Sequence, residues 1–371
     1  MKFNIDKDNF INCLRKVQTI TEKNPVNPIM SNMLLEAGEE KVVIKATNFE
    51  VGIITGCDAN IREVGSSVID AKKMYEIFKE MPKGDSWLEK KDTGWIEIKH
   101  ENNILFNIAG MVDVEFPNIE IDEEMEFSEV YARGILELIV STAYATSQDR
   151  TRDVLRGIKM EKRGEDILMV ATDGHRLALA ERKILKEERI DIKKGVIIPE
   201  SGAKEIKRLT EELGEGGKVK IGIGEKSVVV KTKEETMVVR LIEGEFPDYS
   251  RVIPKGNKNS VVLGKRELIE SLRRVELVAD EETRIVKMQF GGGNLEISSK
   301  RMGFGDAKED MQIDYGGEVI ELGLNGRYIL DILNVIGEEK VVWEIKDGKS
   351  PVLIKGEGVE NVIAVIMPVA L

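Results

Sequence analysis

Two cysteines, two histidines and 5% aromatic residues leave this 371-residue chain short of the side chains that many enzymes and secreted proteins depend on. Cys13 and Cys57 lack CxxC spacing, which excludes a disulfide framework and a cysteine zinc site. His100 and His175 are the only imidazoles, and there is no HExxH run or histidine cluster, so no transition-metal site is expected. Gly214-Glu215-Gly216-Gly217 and Gly291-Gly292-Gly293 lack the Lys-Ser/Thr that completes a phosphate-binding Walker loop and are better read as hairpin turns. A GxSxG elbow is missing too. No apolar run approaches the roughly 18 residues of a membrane span. The N-terminal Met1-Lys2-Phe3-Asn4-Ile5-Asp6 alternates like a strand and has no signal-peptide core. These absences predict a soluble cytoplasmic protein with reduced thiols and no metal or cofactor. With few aromatics, its cores must rest on Ile, Val, Leu and Met. A formal charge of −12 argues against nucleic-acid binding by bulk attraction, although it averages over all faces.

What is present is repetition. Phe10-Ile11, Leu14 and Val17 space apolar residues along one helix face, and the pattern returns at Ile135, Leu138-Ile139, Thr142-Ala143 and at Leu268-Ile269, Leu272, Val275. An apolar strand running into an amphipathic helix begins at Val68, Val196 and Leu322. Asp70, Glu200 or Ser201, and Asn325 stand where those helices start and can cap exposed amides. Hairpins are read around Ala46, Ala171 and Ser298, which lie 125 and 127 residues apart. Phe116-Pro117, Phe246-Pro247 and a degenerate Met367-Pro368 form a fourth series. Four landmarks in one order at one period predict three tandem domains of about 125 residues, far longer than a solenoid repeat. The boundaries are placed at residues 1–126, 127–257 and 258–371.

The clearest hairpin runs from Ile167 to Ala180 through the turn formers Asp173-Gly174. Asp173 and His175 could form a catalytic acid–base pair there, but no Ser or Cys nucleophile is placed beside them, and no catalytic residue is assigned. Basic residues mark equivalent helices: Lys72, Lys73, Lys79 and Lys83 in the first repeat, Lys204, Lys207 and Arg208 in the second. Arg150, Arg152 and Arg156 follow the second repeat's first helix, and Arg273-Arg274 lie in the third repeat's. Such runs are often only solvated faces. On equivalent helices of an acidic protein, they fit a molecule that surrounds a polyanion.

Ala171-Thr172-Asp173-Gly174-His175-Arg176-Leu177-Ala178 and the run Phe246 to Pro254 carry a resemblance to the bacterial sliding-clamp family, the β subunit of the replicative DNA polymerase. Met1-Lys2-Phe3, Pro25, Pro28-Ile29, Asn32, Ser350 to Ile354 and the terminal Met367-Pro368 to Leu371 extend it over the whole length. The resemblance implies an α+β chain of three tandem clamp (processivity-fold) domains. It implies a head-to-tail homodimeric ring with helices lining the hole and antiparallel sheets outside. It implies a non-catalytic processivity factor that encircles double-stranded DNA without reading sequence. Partners would be a replicative polymerase subunit, a clamp loader and repair proteins, all docking through short peptides. The alternative is a peptide-docking scaffold of the same fold not threaded on DNA.

Carried over position by position, the peptide cleft would be walled by Leu155, Thr172, Gly174, His175, Arg176 and Leu177, with Pro247, Arg251 and Val252. The third domain would add Asn325, Tyr328, Val365, Met367, Pro368, Val369 and Leu371. DNA would face Lys23, Lys72, Lys73, Lys79, Arg150, Arg152, Lys204, Lys207 and Arg208. The ring seam would set Phe106 against Leu277 and Val278. Asn24, Ala370 and Thr283 depart from residues common in the family.

Overall fold

A computed structural model describes residues 1–21, 27–188, 190 and 192–371. Two compact units are present. The first is built chiefly from Met1–Ala132 and Lys204–Leu241, the second from Arg133–Glu187, Ile192–Ala203 and Ile242–Leu371.

Each unit holds one eight-stranded antiparallel sheet assembled from two thirds of the chain. In the first unit, Phe127–Tyr131, Lys218–Ile223, Ser227–Lys231 and Glu235–Arg240 continue into Val51–Asp58, Lys41–Thr47, Asn32–Ala37 and Gly65–Asp70. The join pairs Val239 with Val51 and Val238 with Gly52. In the second unit, Val196–Pro199, Gly157–Arg163, Asp166–Thr172 and Arg176–Lys183 continue into Val362–Ile366, Val352–Gly356, Lys340–Ile345 and Asn259–Gly264. Here Leu177 pairs with Val365. The middle repeat thus lends four strands to each unit. A five-stranded sheet ending at Ile104–Ala109 completes the first unit, and a four-stranded sheet ending at Gly305–Gln312 completes the second.

Six α-helices are described: α1 (Lys7–Gln18), α2 (Ala71–Glu80), α3 (Ala132–Thr142), α4 (Glu200–Glu212), α5 (Lys265–Glu276) and α6 (Gly326–Val335). Their apolar faces are the ones the spacing predicts. α1 buries Phe10, Leu14 and Val17, and α5 buries Leu268, Leu272 and Val275. Asp70 accepts the Lys73 amide at 2.7 Å and Asn325 accepts the Tyr328 amide at 3.2 Å, so both act as N-caps. The second unit's core gathers Trp343, Phe290 and Tyr315 within a cluster otherwise built mainly of Ile, Leu, Val and Met, as the composition requires.

All three hairpins form, but one landmark shifts. In Asn294–Arg301 the buried side chains are Leu295, Ile297 and Ser299, matching Val42, Ile44 and Ala46 in Lys41–Thr47. Ser299, not Ser298, is therefore the inward counterpart of Ala46. Alternation on a strand makes a one-residue slip a change of face, and Ser299 Oγ uses its position to donate to Val275 O at 2.6 Å.

Candidate peptide-docking cleft, basic surfaces and seam

The hairpin turn of the second unit is fixed by Asp173. Its Oδ1 accepts the amides of His175 (2.8 Å) and Arg176 (2.9 Å), and its Oδ2 accepts from Arg176 Nε at 3.0 Å. Gly174 sits between at φ 91°, in the left-handed region that glycine enters without cost. Thr172 Oγ1 closes the turn by donating to Arg176 O at 2.6 Å.

Arg176 is the hub. Its side chain is 9% exposed, its Nη1 reaches Asp331 Oδ2 at 2.8 Å, and its guanidinium lies 4.2 Å from the Tyr328 ring centre and 5.4 Å from that of Tyr144. Two carboxylates and two aromatic faces satisfy the buried cation. Arg176 therefore holds the wall in place and offers little charge to a ligand. Burial pushes the Tyr144 and Tyr328 hydroxyls above the ordinary phenol range.

Several of the expected residues lie around this hub. His175 O accepts the Met367 amide at 2.9 Å, and Val369 N donates to Gly323 O at 2.9 Å. Gly323 is small for a reason: an added Cβ would lie 2.7 Å from Val369 O and 2.8 Å from Leu371 Cδ2. Asn325 and Tyr328 join the same region through the start of α6. Leu155, Leu177 and Val365 are buried, whereas Met367, Val369 and Leu371 are exposed apolar groups and Pro368 is half-buried beside them. Pro247, Arg251 and Val252 flank Tyr249 and stay exposed, with Arg251 paired to Asp248 at 2.8 Å. Tyr249, overlooked in the sequence, is the buried member of that stretch and packs with Leu177 and Val365. Tyr144 and Asp331 were missed as well, because nothing local ties them to Arg176.

Asp173 and His175 do not make an acid–base couple. The Asp173 carboxylate is taken by two amides and Arg176, and no bond joins it to the exposed His175 ring among the described residues.

The basic residues divide. Lys79, Lys204 and Arg150 are exposed and form no ion pair among the described residues. Lys72 and Lys73 pair with Glu76, Lys207 with Glu211 and Arg152 with Asp149. Arg208 departs from expectation. Its side chain is 19% exposed and meets Glu205 at 2.9 Å, Glu212 at 3.2 Å and Glu235 at 3.3 Å. Burial works against its charge, but these carboxylates outweigh burial and raise its pKa. Three anions already hold this guanidinium, so it is not available to a phosphate. Lys23 lies outside the described residues.

Of the seam residues, Leu277 is 78% exposed, Val278 is half-buried, and Phe106 is exposed on the outermost strand of the first unit's smaller sheet. Met302 (97% exposed) and Phe304 (68%) stand at the turn leading into the outermost strand of the second unit's smaller sheet. The sequence reading overlooked both.

Sequence signatures of the DNA polymerase III beta subunit match in three consecutive blocks: its N-terminal domain at residues 1–120, central domain at 129–248 and C-terminal domain at 250–370. The beta sliding clamp of Caulobacter vibrioides is 31% identical over 373 residues, covering 99% of each chain. This chain belongs to the beta sliding clamp family. A second clamp relative, from Pseudomonas aeruginosa, is 29% identical over 375 residues and covers all of both chains. The crystal structure of the Caulobacter crescentus clamp superposes with a TM-score of 0.93 at 30% identity over the full length of both. The chain is thus built of three tandem clamp domains, and its family is one of processivity factors, accessory subunits of a polymerase and not catalysts.

Proposed function

We propose that this chain is a DNA sliding clamp that encircles duplex DNA as a head-to-tail homodimer and tethers a replicative polymerase. The observation that carries this reading is the end-to-end match to clamp relatives through all three domains. Topological retention also suits the charge. A closed ring needs few phosphate contacts, and strong ones would impede sliding. Of the DNA-facing candidates among the described residues, Lys79, Lys204 and Arg150 form no ion pair and would supply that light contact.

Ring closure would join two unlike edges. Ile104–Ala109 and Gly305–Gln312 are outermost strands with unpaired backbone groups, a ready template for pairing with another chain. Phe106 beside the first, and Leu277, Val278, Met302 and Phe304 beside the second, supply apolar cover. A contact between unlike surfaces that closes on itself gives a ring. The exposed apolar residues Met367, Val369 and Leu371 would take a partner peptide's anchor side chains, and the chain's lack of a Walker loop assigns ring opening to a separate ATP-using loader.

Retention on DNA tests the reading. Protein loaded onto nicked circular plasmid by an active clamp loader is expected to stay bound through gel filtration and to leave once the plasmid is linearised. Retention indifferent to linearisation, or none on circles, would reject encirclement. Leu277→Asp would bury an unpaired charge at the seam and is expected to sediment as a monomer; a persistent dimer would remove Leu277 from the seam.

A further inference from the structure

The turn from Thr47 to Gly52 in the first unit copies the turn from Thr172 to Leu177 bond for bond. Thr47 Oγ1 donates to Val51 O at 3.1 Å, as Thr172 Oγ1 does to Arg176 O. The Phe49 amide donates to Thr47 Oγ1 at 3.0 Å, and the Gly174 amide to Thr172 Oγ1 at 3.1 Å. Asn48 Oδ1 accepts the amides of Glu50 (3.1 Å) and Val51 (2.7 Å), the office Asp173 performs for His175 and Arg176. Glu50 O accepts Arg240 N at 2.8 Å, where His175 O accepts Met367 N at 2.9 Å. The frame that shapes the second unit's cleft is therefore present in the first unit too.

The side chains on this frame differ. Gly52 replaces Leu177, and the space its Cβ would need is taken by Ile119, whose Cγ2 would lie 2.8 Å away. Ile119 follows Phe116-Pro117 as Tyr249 follows Phe246-Pro247. Phe49 takes the place of Gly174 and adopts φ 67°, a left-handed conformation that is costly for a bulky side chain. The residue is 46% exposed, so packing does little to offset that cost. Beside it runs an open groove of about 1020 Å³, bordered by the Thr47–Gly52 turn, Pro117 to Asp122, Gly224 to Ser227, Val238 and Arg240.

We propose that this groove is a second docking site, for a short extended peptide of a partner protein bearing an apolar side chain between basic residues. The volume suits a few residues of peptide, and the exposed Phe49 ring offers an anchor surface. Charge selects the rest. Residues 115–126 carry Glu115, Glu120, Asp122, Glu123, Glu124 and Glu126 with no Lys or Arg, and Glu225 faces the groove from another wall. Lys226 and Arg240 are the only cations among its lining residues. The partner chemistry is thus distinct from that of the apolar second-unit cleft, and the proposal does not depend on that cleft taking peptides.

Fluorescence anisotropy on the full chain tests this. The probe is a labelled, amidated heptapeptide alternating lysine and leucine about a central phenylalanine. Saturable binding is expected. It should weaken at least tenfold with Phe49→Gly and with Asp122→Lys, persist with Met367→Ala, and vanish when glutamates replace the peptide's lysines. Phe49→Gly should not lower the unfolding midpoint, because glycine relieves the strained φ, so lost binding would not reflect lost folding. Absence of saturable binding would overturn the proposal. So would binding that Asp122→Lys weakens but Phe49→Gly does not, which marks diffuse attraction. Binding sensitive to Met367→Ala and not to Phe49→Gly would move the peptide to the second unit and overturn it equally.

Discussion

The turns at Thr47–Gly52 and Thr172–Leu177 share one hydrogen-bond frame, including the threonine that opens each, and differ in the side chains set on it. One is held by Asn48 and filled by Ile119; the other is held by Asp173, locked by Arg176 and underlain by Tyr249. An amide or a carboxylate oxygen closes the turn equally well. Only the carboxylate can also neutralise a buried guanidinium. The same hydrogen-bond frame thus became a neutral, adaptable turn in one unit and an ionic anchor for a wall in the other.

Removing each turn's holder separates these roles. Asn48→Ala loses two ordinary hydrogen bonds and is expected to destabilise by about 1 kcal/mol. Asp173→Ala loses the same two and leaves Arg176 with one carboxylate in a nearly dry site, which should cost about 3 kcal/mol. Hydrogen exchange at the amides of Ile53 and Ala178 reads the two turns separately. Equal losses would mean that the charge on Asp173 contributes nothing beyond the turn.

The ligand side of the comparison is smaller. Met367→Ala should weaken an apolar-anchored partner peptide by about 1–3 kcal/mol, while Arg240→Ala at the matching strand position should leave that peptide unchanged. Calorimetric titration checks both. Sensitivity to Arg240 would place the apolar peptide in the first unit's groove.

A third contrast sets free cations against committed ones. Each of Lys79→Gln, Lys204→Gln and Arg150→Gln should reduce the slope of log affinity against log salt by up to about one for short linear duplex. Arg208→Gln should leave the slope unaltered and loosen the contacts to Glu205, Glu212 and Glu235. A slope change at Arg208 would show that the carboxylates release it to DNA.

Much of this was legible in the sequence because it is local. Asp173-Gly174 between two apolar runs specifies a hairpin, and Asp70 and Asn325 precede helices they do cap. The threefold period survives divergence because each domain must rebuild the same apolar faces. What remained hidden is non-local. Two of the carboxylates on Arg208, Glu205 and Glu212, stand at helical spacing and are legible, but the third, Glu235, lies 27 residues away, and Arg176 reads as a ligand contact because Asp331 lies 155 away. The pairing of middle-repeat strands with strands from both flanking repeats leaves no mark in composition. Met302 and Phe304 read as ordinary hairpin residues until their exposure is seen. Two adjacent serines, Ser298 and Ser299, hide the parity of the strand from the sequence.

The smallest expected effect concerns what lies under each turn. Tyr249 donates its hydroxyl to Glu161, which also meets Lys159 at 2.6 Å and Arg163 at 3.3 Å. Burial works against the Glu161 charge, but Lys159 and Tyr249 outweigh it and hold the carboxyl below the ordinary glutamate range. A depressed folded-state pKa contributes stability that is fully present above the unfolded glutamate value, near ~4.3, and is lost as pH falls through the lower folded value. Ile119, at the matching place in the first unit, has nothing to titrate. Acidification should therefore loosen Tyr249 before Ile119, by less than about 1 kcal/mol, and Glu161→Gln should abolish the difference. The ring resonances of Tyr249 and the methyl resonances of Ile119 followed between neutral pH and acid give the answer. A Tyr249 transition that survives Glu161→Gln would assign the acid response to another group, and Tyr249 and Ile119 would then differ in packing alone.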